Sequence, residues 1–344
     1  MTASATVRVM PAEEIAAKAG GETPFFHWPQ RSTLFAERQM RLRQLAATHP
    51  MGDFLRFMAD LARVQQAALL RLPAMPVPDG DALDRAARDG VPPLQADGWP
   101  RDPAWRTELR RMAADLRPTA PEGVRAALDA IDRASDDELE AQADALLGST
   151  QAGLSLATAP IIAAALQATF THLVLTVQAR GGSGPLNSAF GRIDDITRCP
   201  CCGSRPTASL TRSGGQHSGQ RYLHCSLCST QWYLERGKCP RCLSDKALSF
   251  QSLEAADADA QDASARAAQA AVQAEVCDDC GHYLKIMHGD RDPFVDPVAD
   301  DLASITLDLL VSDTGKARHG VNLMLLFGEP EPAPGTPPDP PGAS

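Results

Sequence analysis

The chain reads as an α+β protein: an all-α N-terminal domain followed by two small metal modules of zinc-ribbon type and a C-terminal helix. Two observations predict this. The first half carries apolar residues at helical spacing. All nine cysteines of the 344-residue chain fall between Cys199 and Cys280, and eight of them form C-x-x-C pairs. A third observation sets the boundary, since Arg180-Gly-Gly-Ser-Gly-Pro185 is linker composition between the two halves. The resulting division is a loosely ordered arm (1–30), a helical domain (31–180), a linker (181–190) and a first metal module (191–238). A second module (239–290), a C-terminal helix with an apolar segment (291–327) and a Pro-rich disordered tail (328–344) follow.

In chain order, a helix is expected from Ser32 and a second beginning near Pro50, which suits a first helical turn. Met51, Phe54, Leu55, Met58, Leu61, Ala62 and Leu69 recur on one face of the second. Three prolines between Leu72 and Gly80 break it. Shorter helices follow at 81–89, 103–116, 121–133 and 136–147, the last opened by Ser135 with acids in its first turn. From Ala145 to Ala179 no residue is charged. A run of this length is a candidate membrane span, but Gln151, Gln167, His172 and Gln178 interrupt it and no charged flank or aromatic belt marks it. A helix buried on all sides in a bundle accounts for it better, with His172 a hydrogen-bonded core residue.

In the metal region, residues 221–224 and 231–234 have strand composition. Residues 246–254 and 271–276 read as two arms of a hairpin around an Ala/Asp/Gln-rich insertion at 255–270, and 283–286 as a last strand. Residues 298–312 read as a helix with Leu302, Ile305, Leu309 and Leu310 on its apolar side.

The pairs Cys199/Cys202, Cys225/Cys228, Cys239/Cys242 and Cys277/Cys280 supply eight thiolates, enough for two tetrahedral sites. Soft sulfur ligands select zinc or iron over magnesium or calcium. The gaps are 22 residues within the first two pairs, 34 within the last two and 10 between. The simplest pairing is sequential, and a cross-braced one stays open on spacing. Gly203 and Gly281 each follow a pair, where a knuckle turn needs positive φ; Pro200 and Pro240 stiffen two of the knuckles. Disulfides fit less well, because residues 1–21 lack the apolar core of a secretory signal and a reducing cytoplasm disfavours them. Catalytic dithiols come singly beside a βαβ pattern. Cys201 is left over between two ligands as a bystander. Each module is too small to bury a core alone, so metal would supply much of its folding free energy.

The net charge of −10 argues against a nucleic-acid partner for the whole molecule. Residues 191–245 are the exception, with eight Lys/Arg against four acids; a solvated surface is the simpler account. No phosphate loop, dinucleotide fingerprint or nucleophile–base motif is legible, so a non-catalytic role is expected.

Several phrases resemble the formate dehydrogenase accessory proteins of the FdhE family. They are CPCCGSRPTAS (199–209), RYLHCSLCSTQWYLERGKCPRC (221–242), CDDCGHYLK (277–285), DPVADDLASITLDLL (296–310) and AERQMRLRQLAATHPMGDFLRFMADLA (36–62). The similarity covers most of residues 30–327. The departures are Cys201, Gln231 where an acid is expected, and the long insertion; none touches the eight cysteines. The resemblance implies a helical domain with two rubredoxin-like modules, holding iron by preference and zinc as the alternative. It also implies a cytoplasmic protein needed for active respiratory formate dehydrogenase, which contacts the catalytic subunit before export. A homodimer is compatible with it. Two other readings of the same ligands are a rubredoxin-like electron-transfer protein and a zinc-ribbon nucleic-acid module. For the partner surface, the matching phrases offer Arg221, Tyr222, Trp232, Arg236, Tyr283 and Lys285, since arginine and aromatics often anchor interfaces. The alternative is that Tyr222, Trp232 and Tyr283 plug small cores beneath the knuckles. Burial separates the two.

Overall fold

The computed structural model describes residues 23–148, 153–180, 190–191, 193–212, 219–253 and 269–325. The expectations for residues 1–22, the linker at 181–189, the insertion at 254–268 and the tail from 326 lie outside these.

The helical half follows the apolar pattern closely. Helices α1 (Leu34–Ala46) and α2 (Gly52–Arg71) pack as a pair, followed by α3 (Gly80–Arg88), α4 (Ala104–Leu116), α5 (Glu122–Arg133), α6 (Asp136–Leu147) and α7 (Ala159–Arg180). Ser135 forms a full capping box with Glu138, which fixes the start of α6. Helix α7 is long and apolar enough to cross a membrane, yet 83% of its apolar window is buried inside the protein. It contacts α2, α4 and α6 and is the core of the bundle. Two of its polar residues find side-chain partners within that core. Gln167 accepts from Gln65 and donates to the Ser226 carbonyl, and the Arg31 guanidinium donates to His172 Nδ1 at 3.0 Å.

The metal half is one eight-stranded sheet rather than two separate ribbons. Its strands are β1 (Phe26–His27), β2 (Pro206–Thr211), β3 (Arg221–Cys225), β4 (Gln231–Tyr233), β5 (Leu248–Gln251), β6 (Val272–Cys277), β7 (His282–His288) and β8 (Ala317–Arg318). The order is β1-β4-β3-β2-β7-β6-β5, with β8 beside β7. Strands β2–β4 and β5–β7 are the two ribbons, and the parallel pairing of β2 with β7 fuses them, Ser209 opposite Ile286. Two sequence expectations are corrected here. Residues 23–30 are not a loose arm: Phe26 and His27 pair with Trp232 and Gln231, and Phe26 stacks on Trp28. The C-terminal helix is also broken, into α8 (Ala299–Ala303) and α9 (Ile305–Asp313). At the break, Lys285 Nζ takes the Asp301 carbonyl and Ser304 Oγ takes that of Asp300, replacing helical partners. The rotation buries Leu302, Leu307 and Val311 and leaves Leu309 and Leu310 exposed.

Ion pairs join the two halves. Arg38 and Arg41, one turn apart on α1, reach Asp296 and Asp300 at the start of α8, Arg41 also taking Asp292. Arg41 and Asp300 are both buried, so removing one partner would strand a charge, a loss of roughly 3–5 kcal/mol.

Candidate metal centres

Four turns of the same construction carry the cysteines. In three, the backbone N–H of the residue directly after the second cysteine closes on the first: Gly203, Leu243 and Gly281 donate to the carbonyls of Cys199, Cys239 and Cys277 at 2.8, 3.0 and 3.0 Å. The residue after the second cysteine has positive φ in all four: Gly203 (75°), Ser229 (59°), Leu243 (62°) and Gly281 (69°). This conformation aims peptide N–H groups at sulfur. Leu227 and Cys228 donate to Cys225 Sγ, and Arg241 to Cys239 Sγ, each at 3.4 Å.

The sequential pairing is the one adopted. Cys199, Cys202, Cys225 and Cys228 form one group and Cys239, Cys242, Cys277 and Cys280 the other, the sulfurs of each lying within 4.8 Å of one another. Neighbouring sulfurs stand 3.4–3.6 Å apart in the first group and 3.7 Å in the second. These separations are too long for disulfides. They approach the edge of about 3.8 Å that a tetrahedron with Zn–S of about 2.3 Å requires. Each group therefore has the donor set and spacing to hold a metal ion.

Electrostatics make the same point. Burial pushes the thiols of Cys199 and Cys225 well up, and Cys228 alone is pulled well down, against burial, by hydrogen bonds from the other three ligands and Cys201. In the second group burial raises Cys239 and Cys277, while Cys242 is lowered by the Ser244 backbone and its fellow cysteines despite burial. Burial thus opposes ionisation of Cys199, Cys225, Cys239 and Cys277, and four thiolates gathered at one point need a cation to offset their mutual repulsion. Zinc would supply a redox-silent tetrahedral crosslink and iron one that can change oxidation state.

The groups differ in surroundings. All four sulfur residues of the first are 0% exposed and belong to the same apolar cluster as Leu166, Phe170 and Trp105. The Leu94 and Ala96 N–H groups brace its first knuckle on the carbonyls of Cys201 and Cys202. In the second group Cys242 is exposed and Cys280 half-buried. Cys201 is buried beside the first group but is not one of its four.

The sequence is matched by the family models for the FdhE N-terminal region (residues 23–183), central domain (198–236) and C-terminal domain (238–325). The chain belongs to the FdhE family. An FdhE homolog of Serratia proteamaculans is 36% identical over 94% of this chain and 99% of its own. The FdhE protein of Salmonella dublin is 36% identical over 95% and 100%. The crystal structure of FdhE from Pseudomonas aeruginosa superposes with a TM-score of 0.73 at 37% identity, covering 88% of this chain and 99% of that one.

Five of the six residues offered for the partner surface are interior in this FdhE chain, which decides for the plug reading of Tyr222, Trp232 and Tyr283 and corrects the expectation of exposure for Arg221 and Lys285. Trp232 donates to the Ile196 carbonyl and Tyr222 to that of Pro24. Tyr283 and Lys285 both bond Asp308, and Lys285 pairs with Asp301 as well. Arg221 pairs with Glu275 of the other ribbon, both 1% exposed, and holds the Glu235 and Lys238 carbonyls of the segment joining the two ribbons. These side chains are large and carry polar ends, so they serve as hydrogen-bonded plugs. Arg236 alone of the six is exposed. Sequence reasoning missed Arg38 and Arg41, whose i,i+3 spacing looks like an ordinary solvated face, and the Leu94–Ala96 brace.

Proposed function

We propose that this chain is an accessory protein for the assembly of respiratory formate dehydrogenase. In this reading it binds the catalytic subunit in the cytoplasm before export, without substrate turnover of its own. Membership of the FdhE family is the observation that carries the reading, with the two four-cysteine groups as the structural feature to be explained. The eight cysteines are its metal ligands, with iron the preferred ion and zinc the alternative. A first group enclosed in the domain core suits a structural crosslink, and a fused sheet gives the partner one continuous, pre-ordered surface. The experiment is a pull-down of the formate dehydrogenase catalytic subunit by purified protein of measured metal content. Retention of the subunit supports the reading, and no retention by metal-replete protein overturns it.

A second reading, electron transfer, draws on one observation: Cys242 puts a ligand sulfur of the second group at the surface, where a redox partner could approach. Metal analysis and a visible spectrum after anaerobic purification separate the two, since an iron–thiolate centre is coloured and zinc is silent. A zinc-only protein excludes electron transfer and leaves the accessory role intact.

A further inference from the structure

Beside α3, the helical half leaves an apolar groove of about 510 Å³ uncovered. Five prolines from the segments 76–78 and 92–100 wall it together with Val77, Val91 and Trp99, and Asp89 is its one charged side chain. Val91 is 47% exposed, with Pro76 and Pro100 also exposed and Trp99 half-buried. Trp105 and Trp232 donate their indole N–H to Glu140 and to the Ile196 carbonyl. The Trp99 N–H meets no acceptor among the described residues and is not enclosed. An indole bounded by prolines, with its N–H free, is built to receive a polyproline II segment. The ring and the groove prolines pack on pyrrolidine faces, and the N–H donates to a carbonyl of a helix that has no internal hydrogen bonds.

The chain carries such a segment and leads it to this side of the molecule. Val321 and Leu323, close to the last described residue, Leu325, line a cleft of about 630 Å³ between the first knuckle and the helical domain. That cleft shares Val91 and Pro92 with the groove, so the two are continuous. Beyond Leu325, the stretch from Pro330 to Pro341 holds seven prolines in three overlapping P-x-x-P registers, 334–337, 337–340 and 338–341. This composition favours polyproline II. The four residues from Leu326 to Glu329 come first. Extended, they bridge roughly 13 Å, more than the ~9 Å edge of a cube of the cleft's volume. We propose that the proline-walled groove at Trp99 is the docking site of this chain's own segment 330–341, which passes over Val91 and Pro92 as a strap between the first knuckle and the helical domain. The tether makes the contact intramolecular, so a modest intrinsic affinity keeps the groove occupied.

The test uses full-length, metal-replete protein and a fluorescent peptide of residues 328–344 as probe. A full-length tail variant, P330S/P332S/P334S/P337S/P338S/P340S/P341S, is expected to bind the peptide. Wild type should bind it at least about tenfold more weakly, because its tethered segment competes at an effective concentration near millimolar. Within the tail variant, V91D should weaken binding at least about tenfold and W99F by a smaller factor, with metal content and circular dichroism unchanged. No peptide binding by the tail variant overturns the proposal. So does undiminished binding after V91D, which would place the peptide elsewhere. Equal binding by wild type and the tail variant overturns it in favour of a groove that takes a Pro-rich segment of a partner. A concentration-dependent dimer of wild type that the tail variant does not form overturns it in favour of exchange between two copies.

Discussion

Leu243 occupies a left-handed position that its knuckle counterparts Gly203 and Gly281 fill without strain. A residue with Cβ loses about 1–2 kcal/mol there, and glycine returns roughly half of that through its freer unfolded chain. Leu243 is 40% exposed, so little burial is lost on replacement. Leu243→Gly should therefore stabilise the second module by up to about 1 kcal/mol, and Gly281→Val should destabilise it by about 1–3 kcal/mol. Thermal melts of metal-loaded protein report both; a lower melting temperature for Leu243→Gly refutes the strain argument. His172 makes a separate, acid-linked contribution. Burial, then the Arg31 charge, depress its pKa from 6.5 to about 4. Below pH 6.5 the unfolded chain takes up a proton that the folded one refuses, so stability present above that pH is lost as pH falls toward 4. The loss from this one group is on the order of 2 kcal/mol by pH 5. His172→Gln should flatten the stability–pH profile between pH 7 and pH 5 by that amount, measured by urea unfolding; parallel profiles would exclude His172 as a source.

The elements legible in the sequence are those whose signals are local. Apolar period and caps place α1–α6 within a residue or two, the uncharged run 145–179 contains α7 without marking its start at Ala159, and C-x-x-C spacing places the ligands, because a knuckle is built from adjacent residues. Long-range placements are not legible in this way. Strand β2, Pro-Thr-Ala-Ser-Leu-Thr, is buried at all six positions, so it shows no alternation, and its Ser and Thr content suggests a loop. Burial of Arg221, Lys285 and Arg38 depends on acids 54, 23 and 258 residues away. That fusion alters what a lost ligand does. Two independent ribbons would each unfold alone, but Cys225 lies in the core shared with α7 and Cys277 lies outside that cluster. Cys225→Ser should lower the melting temperature of the helical signal as well as that of the sheet. Cys277→Ser should expose the second ribbon to protease and leave the helices folded. Equal damage to the helices from both substitutions would show that the ion pairs across the halves, and not the first metal group, transmit the loss.

On the scale of the whole molecule, the two four-cysteine groups are graded from interior to surface. An ion among Cys199, Cys202, Cys225 and Cys228 would sit behind completely covered sulfurs, beneath the Leu94–Ala96 brace and against the core of the bundle. Reaching it requires an opening that separates the halves, and the buried Arg41–Asp300 pair opposes that opening. An ion among Cys239, Cys242, Cys277 and Cys280 would meet solvent through Cys242. Local fluctuation suffices there, whereas the first group needs unfolding on a subglobal scale. A membrane-impermeant chelator added to folded, fully loaded protein should therefore remove half of the metal in a fast phase, with far-ultraviolet circular dichroism nearly unchanged. The remaining half should leave only with loss of helix. Cys277→Ser should abolish the fast phase and keep the slow one. A single phase for wild type, or a fast phase that survives in Cys277→Ser, would mean that the brace and the bundle do not protect the inner group.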